Sequence, residues 1–172
     1  MAKKKVYGLT SVLFGPIGSD GGMGTTLTEI LGATAKGTAS LIYTPPTFTD
    51  VEIEEEDDPY DQLIATPGKW ELKLESYNVG AKSLSDTMGG TYTPGASGAP
   101  DTWEPDEVQI AKESSARVTT RGGSVIDIPR LKYYAAPTFN LTKGDLGRIS
   151  LTGTPLKPSK AGVKALKFTD SN

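Results

Sequence analysis

The sequence has no histidine and no cysteine among its 172 residues, and these two absences exclude most routes to catalysis. Without an imidazole or a thiol there is no Ser-His-Asp triad, no cysteine nucleophile, no CxxC redox pair and no ordinary zinc site. Carboxylates, lysines, tyrosines and hydroxyls remain, and a pair of carboxylates suffices for glycoside hydrolysis. We therefore expect a protein that binds or assembles, with no enzyme activity, no cofactor and no metal.

Long apolar runs are also absent. No stretch approaches the ~20 apolar residues that a membrane-spanning helix requires. The partly apolar residues 6–17 follow three lysines, as in a signal peptide, but Gly8 and Pro16 interrupt them and no A-x-A-like cleavage site follows. The sequence therefore predicts neither a membrane partner nor export.

Charge is weakly acidic, with 18 cationic side chains against 21 carboxylates and a formal net charge of -3. Lys3, Lys4 and Lys5 lie together in a basic N-terminal tail, residues 1–5, so the rest of the chain carries about -6 by subtraction. A weakly acidic field argues against nucleic acid held on a broad basic face.

Glycine and proline, by contrast, are plentiful, with 20 and 12 residues, as expected for short strands joined by turns. Residues 70–75 alternate between apolar and charged side chains, which predicts a strand with Trp70, Leu72 and Leu74 facing a core. Residues 116–120 and 124–128 predict a hairpin that closes on residues 121–123. Pro129 is then expected to end the second strand.

Other strands are predicted from weaker patterns. Residues 51–54 alternate, and residues 139–142 and 148–154 suggest a second hairpin around residues 143–145. The remaining candidates are residues 6–14, 38–43 and 163–168.

One segment, residues 78–88, has the pattern of a helix. Leu84 and Met88 lie four residues apart and would seat it on a sheet, Ser83 and Ser85 are possible caps, and glycines at 89 and 90 would end it. Residues 89–105 form a Gly/Pro-rich loop that Trp103 is expected to anchor, and residues 169–172 are a C-terminal tail. The prediction is a single mainly β domain, residues 1–172, built as a β-sandwich or rolled barrel with one short flanking α-helix.

The sharpest local feature is an acidic run within residues 52–58. It contains six of the 21 carboxylates: Glu52, Glu54, Glu55, Glu56, Asp57 and Asp58. Calcium binding is one interpretation, although the D-x-D-x-D-G spacing is missing, and a carboxylate pair for sugar hydrolysis is another. The pattern favours a solvated, self-repelling loop, residues 54–66, and after that a surface that docks on a partner subunit.

The glycines near residue 22 do not form a phosphate-binding loop. Residues 21–26 lack the Gly-Lys-Ser/Thr ending of a Walker motif and the third glycine of a dinucleotide fingerprint. The segment is predicted to be a flexible turn.

Eight segments between residues 6 and 163 follow one another in a recognisable order: residues 7–11, 20–26, 57–59, 66–69, 88–91, 118–129, 139–155 and 157–158. Their order resembles that of the tail tube (major tail) protein of long-tailed bacteriophages. They match in pattern and order, with no single motif that defines the family.

The resemblance implies a structural virion protein that forms hexameric rings, which stack into a hollow, acidic tube. DNA passes through the lumen without specific binding. The implied partners are further copies of the chain and other tail proteins, such as the tape measure and the tail terminator. The implied location is the virion tail, assembled in the cytoplasm of the host bacterium.

Within this interpretation we expect the acidic loop to order when it meets the next ring. The candidate assembly interface comprises Glu54, Glu55, Glu56, Asp57, Asp58 and Asp61. Two alternatives remain open at this point. One is another virion β-protein, such as a tail terminator or a capsid decoration protein, and the other is a calcium- or carbohydrate-binding β-sandwich.

Overall fold

The structure, a computed structural model, describes residues 5–171, apart from the side chain of Glu56. Strands make up 48% of the chain and helix 5%, and the sheets are antiparallel. The predicted fold class, mainly β with one short helix, is confirmed.

Within residues 5–171 the chain forms eleven strands and one helix. In chain order they are β1 (Leu9–Gly15), β2 (Ser40–Thr44), β3 (Thr47–Ile53), β4 (Glu56–Thr66), β5 (Lys69–Ser76), α1 (Ala81–Met88), β6 (Thr91–Thr93), β7 (Thr102–Glu104), β8 (Lys112–Thr120), β9 (Val125–Thr138), β10 (Arg148–Pro155) and β11 (Lys167–Thr169). No helix in this part of the chain has the length and apolarity needed to cross a membrane.

Seven strands form the main sheet: six follow the order β1-β8-β9-β10-β5-β2, and the seventh, β11, pairs with β9 outside this order. The long strand β9 pairs with β8 along one edge and with two strands along the other. Its first residues pair with β11, from Val125 to Asp127, and its last residues pair with β10, from Leu131 to Thr138. The shorter strands β3 and β4 pair as a separate two-stranded sheet, as do β6 and β7.

The core lies on one face of this sheet, because strand residues alternate in direction. Ile128, Leu131, Ile149 and Leu151 are fully buried. Removing such a side chain from water contributes about 1.5–3 kcal/mol to folding. The short helix α1 covers part of this face, and the prediction that Leu84 and Met88 seat it there is confirmed, since both are buried in the core.

The prediction for residues 70–75 is confirmed in most respects. They lie in β5, where Leu72 and Leu74 are buried. Trp70 differs, because it is partly exposed and packs against the Tyr43 ring of β2 at 5.2 Å between ring centroids. Trp70 lies near the start of β5, outside the buried core. The alternation of apolar and charged side chains therefore extends beyond the residues that the core covers.

The predicted hairpin between β8 and β9 is confirmed. Its turn has a left-handed residue at Gly123, with φ of 85°, and Gly123 N–H donates to the Thr120 carbonyl at 3.0 Å. The Thr120 hydroxyl also contacts Ser124, donating to its carbonyl at 3.1 Å. Glycine suits the turn because a Cβ is strained at positive φ.

The prediction that Pro129 ends the second strand is wrong. Strand β9 runs through it, because the register of β8 shifts between Ser114 and Ala116 opposite this point. Ser115 Oγ donates to the Pro129 carbonyl at 2.7 Å across the shift. A proline has no N–H to donate, and an irregularity of this kind does not need one.

The second predicted hairpin is wrong on one side. Residues 148–154 do form β10, but residues 139–142 lie in the loop 139–147. Strand β10 pairs instead with the second half of β9, with Leu151 opposite Ala135. This pairing exists because β9 continues beyond Pro129.

Two further boundaries differ from the predictions. The helix begins after Gly80, which makes no side-chain cap, so Ser83 and Ser85 are helical residues and not caps. Of the predicted strand 163–168, only residues 167 and 168 lie in a strand, β11, which continues to Thr169. Predicted strands 6–14 and 38–43 correspond to β1 and β2, and residues 51–53 form the end of β3, while Glu54 follows it in a turn.

The loop 89–105 is more ordered than predicted, since it contains the paired strands β6 and β7. The predicted anchoring role of Trp103 is confirmed. Its side chain packs against the core, and its Nε1 donates to the Gly89 carbonyl at 2.8 Å. The loop is thereby tied to the end of α1.

The glycine-rich segment near residue 22 is also fixed by contacts with the body of the protein. The Gly24 N–H donates to Ser115 Oγ at 2.8 Å, and the Gly22 N–H donates to Asp20 Oδ1 at 2.9 Å. Both glycines are buried, so the predicted flexible turn is instead a packed one.

A projecting hairpin as the candidate assembly site

Residues 47–66, which we call the arm, form a two-stranded hairpin that continues beyond the ends of the paired strands β2 and β5. Strand β3 follows β2 after Pro45 and Pro46, and strand β4 leads into β5 through Pro67 and Gly68. Prolines cannot donate to a ladder, so the pairing is interrupted on both strands at the same level. At this junction a Cβ on Gly68 would collide with the Tyr43 hydroxyl.

The existence of β4 corrects the prediction that residues 54–66 are an acidic loop. Only Glu54 and Glu55 lie in the turn, and the chain pairs again from Glu56, which lies opposite Ile53. Four residues, 57–60, then face a single residue of β3 in an irregular stretch before regular pairing resumes at Asp61.

Side chains opposite each other on antiparallel strands share a face. Phe48 lies opposite Ile64, and Asp50 lies opposite Gln62, whose Nε2 donates to Asp50 Oδ1 at 2.7 Å. Leu63 lies on the other face, opposite Thr49. Each face of the arm thus has apolar side chains near the base and acidic side chains toward the tip.

Neither face of the arm is covered. Phe48 is 55% exposed, Leu63 58%, Ile64 63% and Tyr60 68%. Apart from their own pairing, β3 and β4 pack extensively on no other strand or helix of the described chain. A lone two-stranded hairpin is at best marginally stable in water. Covering by another molecule would supply the burial that the arm lacks.

All six residues of the predicted assembly interface lie on the arm. Glu54, Glu55, Asp57, Asp58 and Asp61 are exposed, while Glu56 is located by its backbone at the start of β4. The structure therefore brings them to one projecting element, although most of them occupy a strand in place of a loop.

Much of the negative charge of the molecule is concentrated on the arm. Residues 47–66 contain eight carboxylates and no lysine or arginine, which leaves thirteen carboxylates against eighteen cationic side chains elsewhere. The arm therefore has a formal charge of -8, and the rest of the chain +5. No ion pair involves an arm carboxylate whose side chain is described.

These carboxylates do not form a cation site within the part of the chain that the structure describes. No group of three or more His, Cys, Asp or Glu side chains is arranged there to hold a metal ion. Alternation along a strand sends successive acids to opposite faces, which disperses their oxygens. The geometry suits docking on a positively charged surface better than chelation.

The apolar part of the arm was not predicted from the sequence. Phe48, Tyr60, Leu63 and Ile64 were not recognised as a surface, because the acidic run between them suggested a loop. The available signal was the β-branched and aromatic content of residues 47–53 and 60–64 on either side of that run.

A free strand edge borders the main sheet next to the arm. Strand β2 pairs only with β5, so the backbone groups along its outer side have no strand partner within residues 5–171. At the opposite margin, β1 is partly covered, because Phe14 and Thr28 exchange two backbone hydrogen bonds of 2.8 Å. Free edges accept strands from other chains.

An open cleft beside α1 is lined in part by Lys112, whose role there is structural. Lys112 Nζ enters it and donates to the Ser85 and Asp86 carbonyls at 2.7 and 3.0 Å, so it completes the end of the helix. Partial burial lowers the pKa of Lys112, but the ammonium keeps its carbonyl partners. The Lys112 ammonium in this cleft therefore stabilises the C-terminal end of α1.

No protein-family model matches the sequence, and a search of curated proteins finds no significant relative.

Proposed function

We propose that this protein is a structural subunit of a bacteriophage tail tube, which assembles into hexameric rings that stack around a channel for DNA. The observation that carries the proposal is the arm. It projects from the sheet with apolar side chains bare on both faces, and such a hairpin gains stability from a partner. Copies of the same chain are the partners in this proposal.

The main sheet supports self-assembly because it is not closed within one chain. The outer edge of β2 is unpaired, and pairing between neighbouring copies removes such an edge. A contact between two different surfaces of the same chain repeats from copy to copy. It closes a ring when the rotation closes and builds a filament when it does not.

Charge is compatible with a conduit for DNA. The chain is net negative, and phosphates are held mainly by lysine and arginine, so an acidic surface lets DNA pass. In this proposal the tube also meets a tape measure protein and a tail terminator, and it is assembled in the host cytoplasm before it becomes part of the virion.

Negative-stain electron microscopy of the purified chain at high concentration tests the proposal. The tail tube function predicts long hollow tubes. Discrete rings or trimers would instead support a tail terminator or a capsid decoration protein, and monomers at every concentration would contradict self-assembly.

A variant without the arm serves as the control. Thr44 and Lys69 lie opposite each other, so replacing residues 45–68 with Asn-Gly closes β2 and β5 in a two-residue hairpin. We expect this variant to fold with an intact main sheet, visible by circular dichroism, and to form no tubes.

A further inference from the structure

A second exposed surface complements the arm in both charge and apolar character. It is formed where the N-terminal segment, the β8–β9 turn and β11 meet. Arg121 N–H donates to the Gly8 carbonyl at 3.3 Å, and the Lys5 carbonyl lies 2.8 Å from the position of a Cβ on Gly122. Strand β11 adds Lys167, opposite Asp127 at the start of β9.

We call this surface the terminal patch and define it by Lys5, Tyr7, Arg121, Lys167 and Phe168. All five side chains are exposed, including the two aromatic rings. Within residues 5–171, none of its three cations forms an ion pair.

The carboxylates near the patch leave it positive. Asp127, which lies opposite Lys167, is engaged by Arg117, whose Nε donates to it at 2.6 Å. Asp170 follows β11 and offsets one of the three cations in formal charge. Lys3 and Lys4 precede the patch in sequence and lie outside the described residues.

We propose that the arm of one copy docks on the terminal patch of a second copy, an inference that rests on the proposed function. The arm offers Phe48, Tyr60 and Ile64 together with carboxylates, and the patch offers two aromatic rings together with cations. Opposite charge steers and orients the encounter, and apolar burial supplies the affinity.

The sheet topology assigns this contact to neighbours within a ring. Strands β5 and β9 run in the same direction, since both are antiparallel to β10. The arm precedes β5 and the β8–β9 turn precedes β9, so both surfaces leave the sheet at the same end. When two copies are related by a rotation about an axis parallel to the strands, the arm of one copy and the terminal patch of the other therefore lie at the same height along that axis.

Two charge-reversed proteins test the contact, one with Asp57→Lys and Asp61→Lys on the arm and one with Arg121→Glu and Lys167→Glu on the patch. Sedimentation velocity at low salt measures association, because salt screens the charges. The first variant reduces the formal negative charge of the arm from -8 to -4, and the second changes the charge of the three patch cations from +3 to -1. Each variant alone weakens the attraction, and we expect the concentration needed for association to rise about tenfold or more.

An equimolar mixture of the two variants is the decisive sample. The unaltered arm of one variant meets the unaltered patch of the other, so this contact keeps the wild-type charges, and the mixture is expected to associate at a lower concentration than either variant alone. This recovery excludes misfolding as the reason for the loss in each variant. A mixture that associates no better than its components would overturn the inference.

The control protein reverses two exposed lysines elsewhere, with Lys36→Glu and Lys143→Glu, and is expected to associate as the wild type does. Equal loss in this control would overturn the assignment to the patch. Wild-type association by the patch-reversed protein alone would overturn the inference and leave the proposed function standing. A wild-type chain that stays monomeric throughout would overturn both.

Discussion

The strands of the main sheet and those of the arm pair in the same antiparallel way. The apolar side chains of the sheet are buried, however, and those of the arm are exposed. In the sheet, Leu74 of β5 lies opposite Leu151 of β10, and both are buried. In the arm, Phe48 lies opposite Ile64, and both are exposed. Backbone pairing alone therefore gives at most marginal stability to a pair of strands. The packing of other elements on one face supplies the burial that stabilises the main sheet.

Charged side chains show the same contrast. On the outward face of the sheet they are paired within the chain, as in Arg117 with Asp127 and Arg130 with Glu113. The described carboxylates of the arm have no such partners. These charges of the sheet are paired within one copy, whereas the arm has the features of an element completed by another molecule.

The largest effect on the free energy of unfolding is expected when a buried leucine of the sheet, rather than an exposed leucine of the arm, is replaced by alanine. Leu151→Ala removes a fully buried side chain and should lower the free energy of unfolding by about 2–5 kcal/mol. Leu63→Ala, on the arm, should change it by no more than about 0.5 kcal/mol in the dilute protein. Urea unfolding measures both. Similar losses for the two variants would mean that the arm is already packed within one chain.

A smaller effect is expected at the turn of the β8–β9 hairpin. Gly123→Val places a branched side chain at a φ of 85° and should cost about 1–3 kcal/mol. Gly144→Val is the matched control, since Gly144 has no positive φ and open space around its Cβ position. Equal melting temperatures for the two variants would contradict the turn geometry.

The smallest effect concerns the outward charges of the sheet. The Arg130 guanidinium, by hydrogen bonding to the Glu113 carboxylate, lowers the pKa of Glu113. A carboxyl with a lowered pKa stabilises the folded state above its unfolded pKa of about 4.3, and this contribution disappears as the pH falls through the folded pKa.

Glu113→Gln should therefore destabilise the protein slightly at neutral pH, with a difference from wild type that shrinks below about pH 4. Urea unfolding at several pH values checks this, with Glu107→Gln as an exposed control that has no described ion pair. A difference that grows as the pH falls would reverse the assigned sign.

Local patterns in the sequence predicted the elements whose partners lie nearby. The alternation of residues 70–75 and the glycines after residue 121 identified β5 and the β8–β9 hairpin, because these signals act over a few residues. The passage of β9 through Pro129 could not be predicted in this way. It depends on a register shift in β8 and on Ser115, fourteen residues away.

The candidate site was predicted in part. The acidic residues were identified, but their strand was not, since the carboxylates interrupt the apolar alternation that indicates a strand. The terminal patch was missed because it joins segments from both ends of the chain with a turn between them. Only the pairing of β11 with β9 brings Lys167 and Arg121 to the same end of the sheet.

The central claim is that the arm gains its stability from another copy of the chain, and amide hydrogen exchange tests this most directly. In dilute, monomeric protein the amides of β3 and β4 should exchange rapidly, while those shared by β8, β9 and β10 stay protected. In the assembled protein the arm amides should become protected as well. Arm amides that are equally protected in both samples, or that remain unprotected after assembly, would contradict the claim.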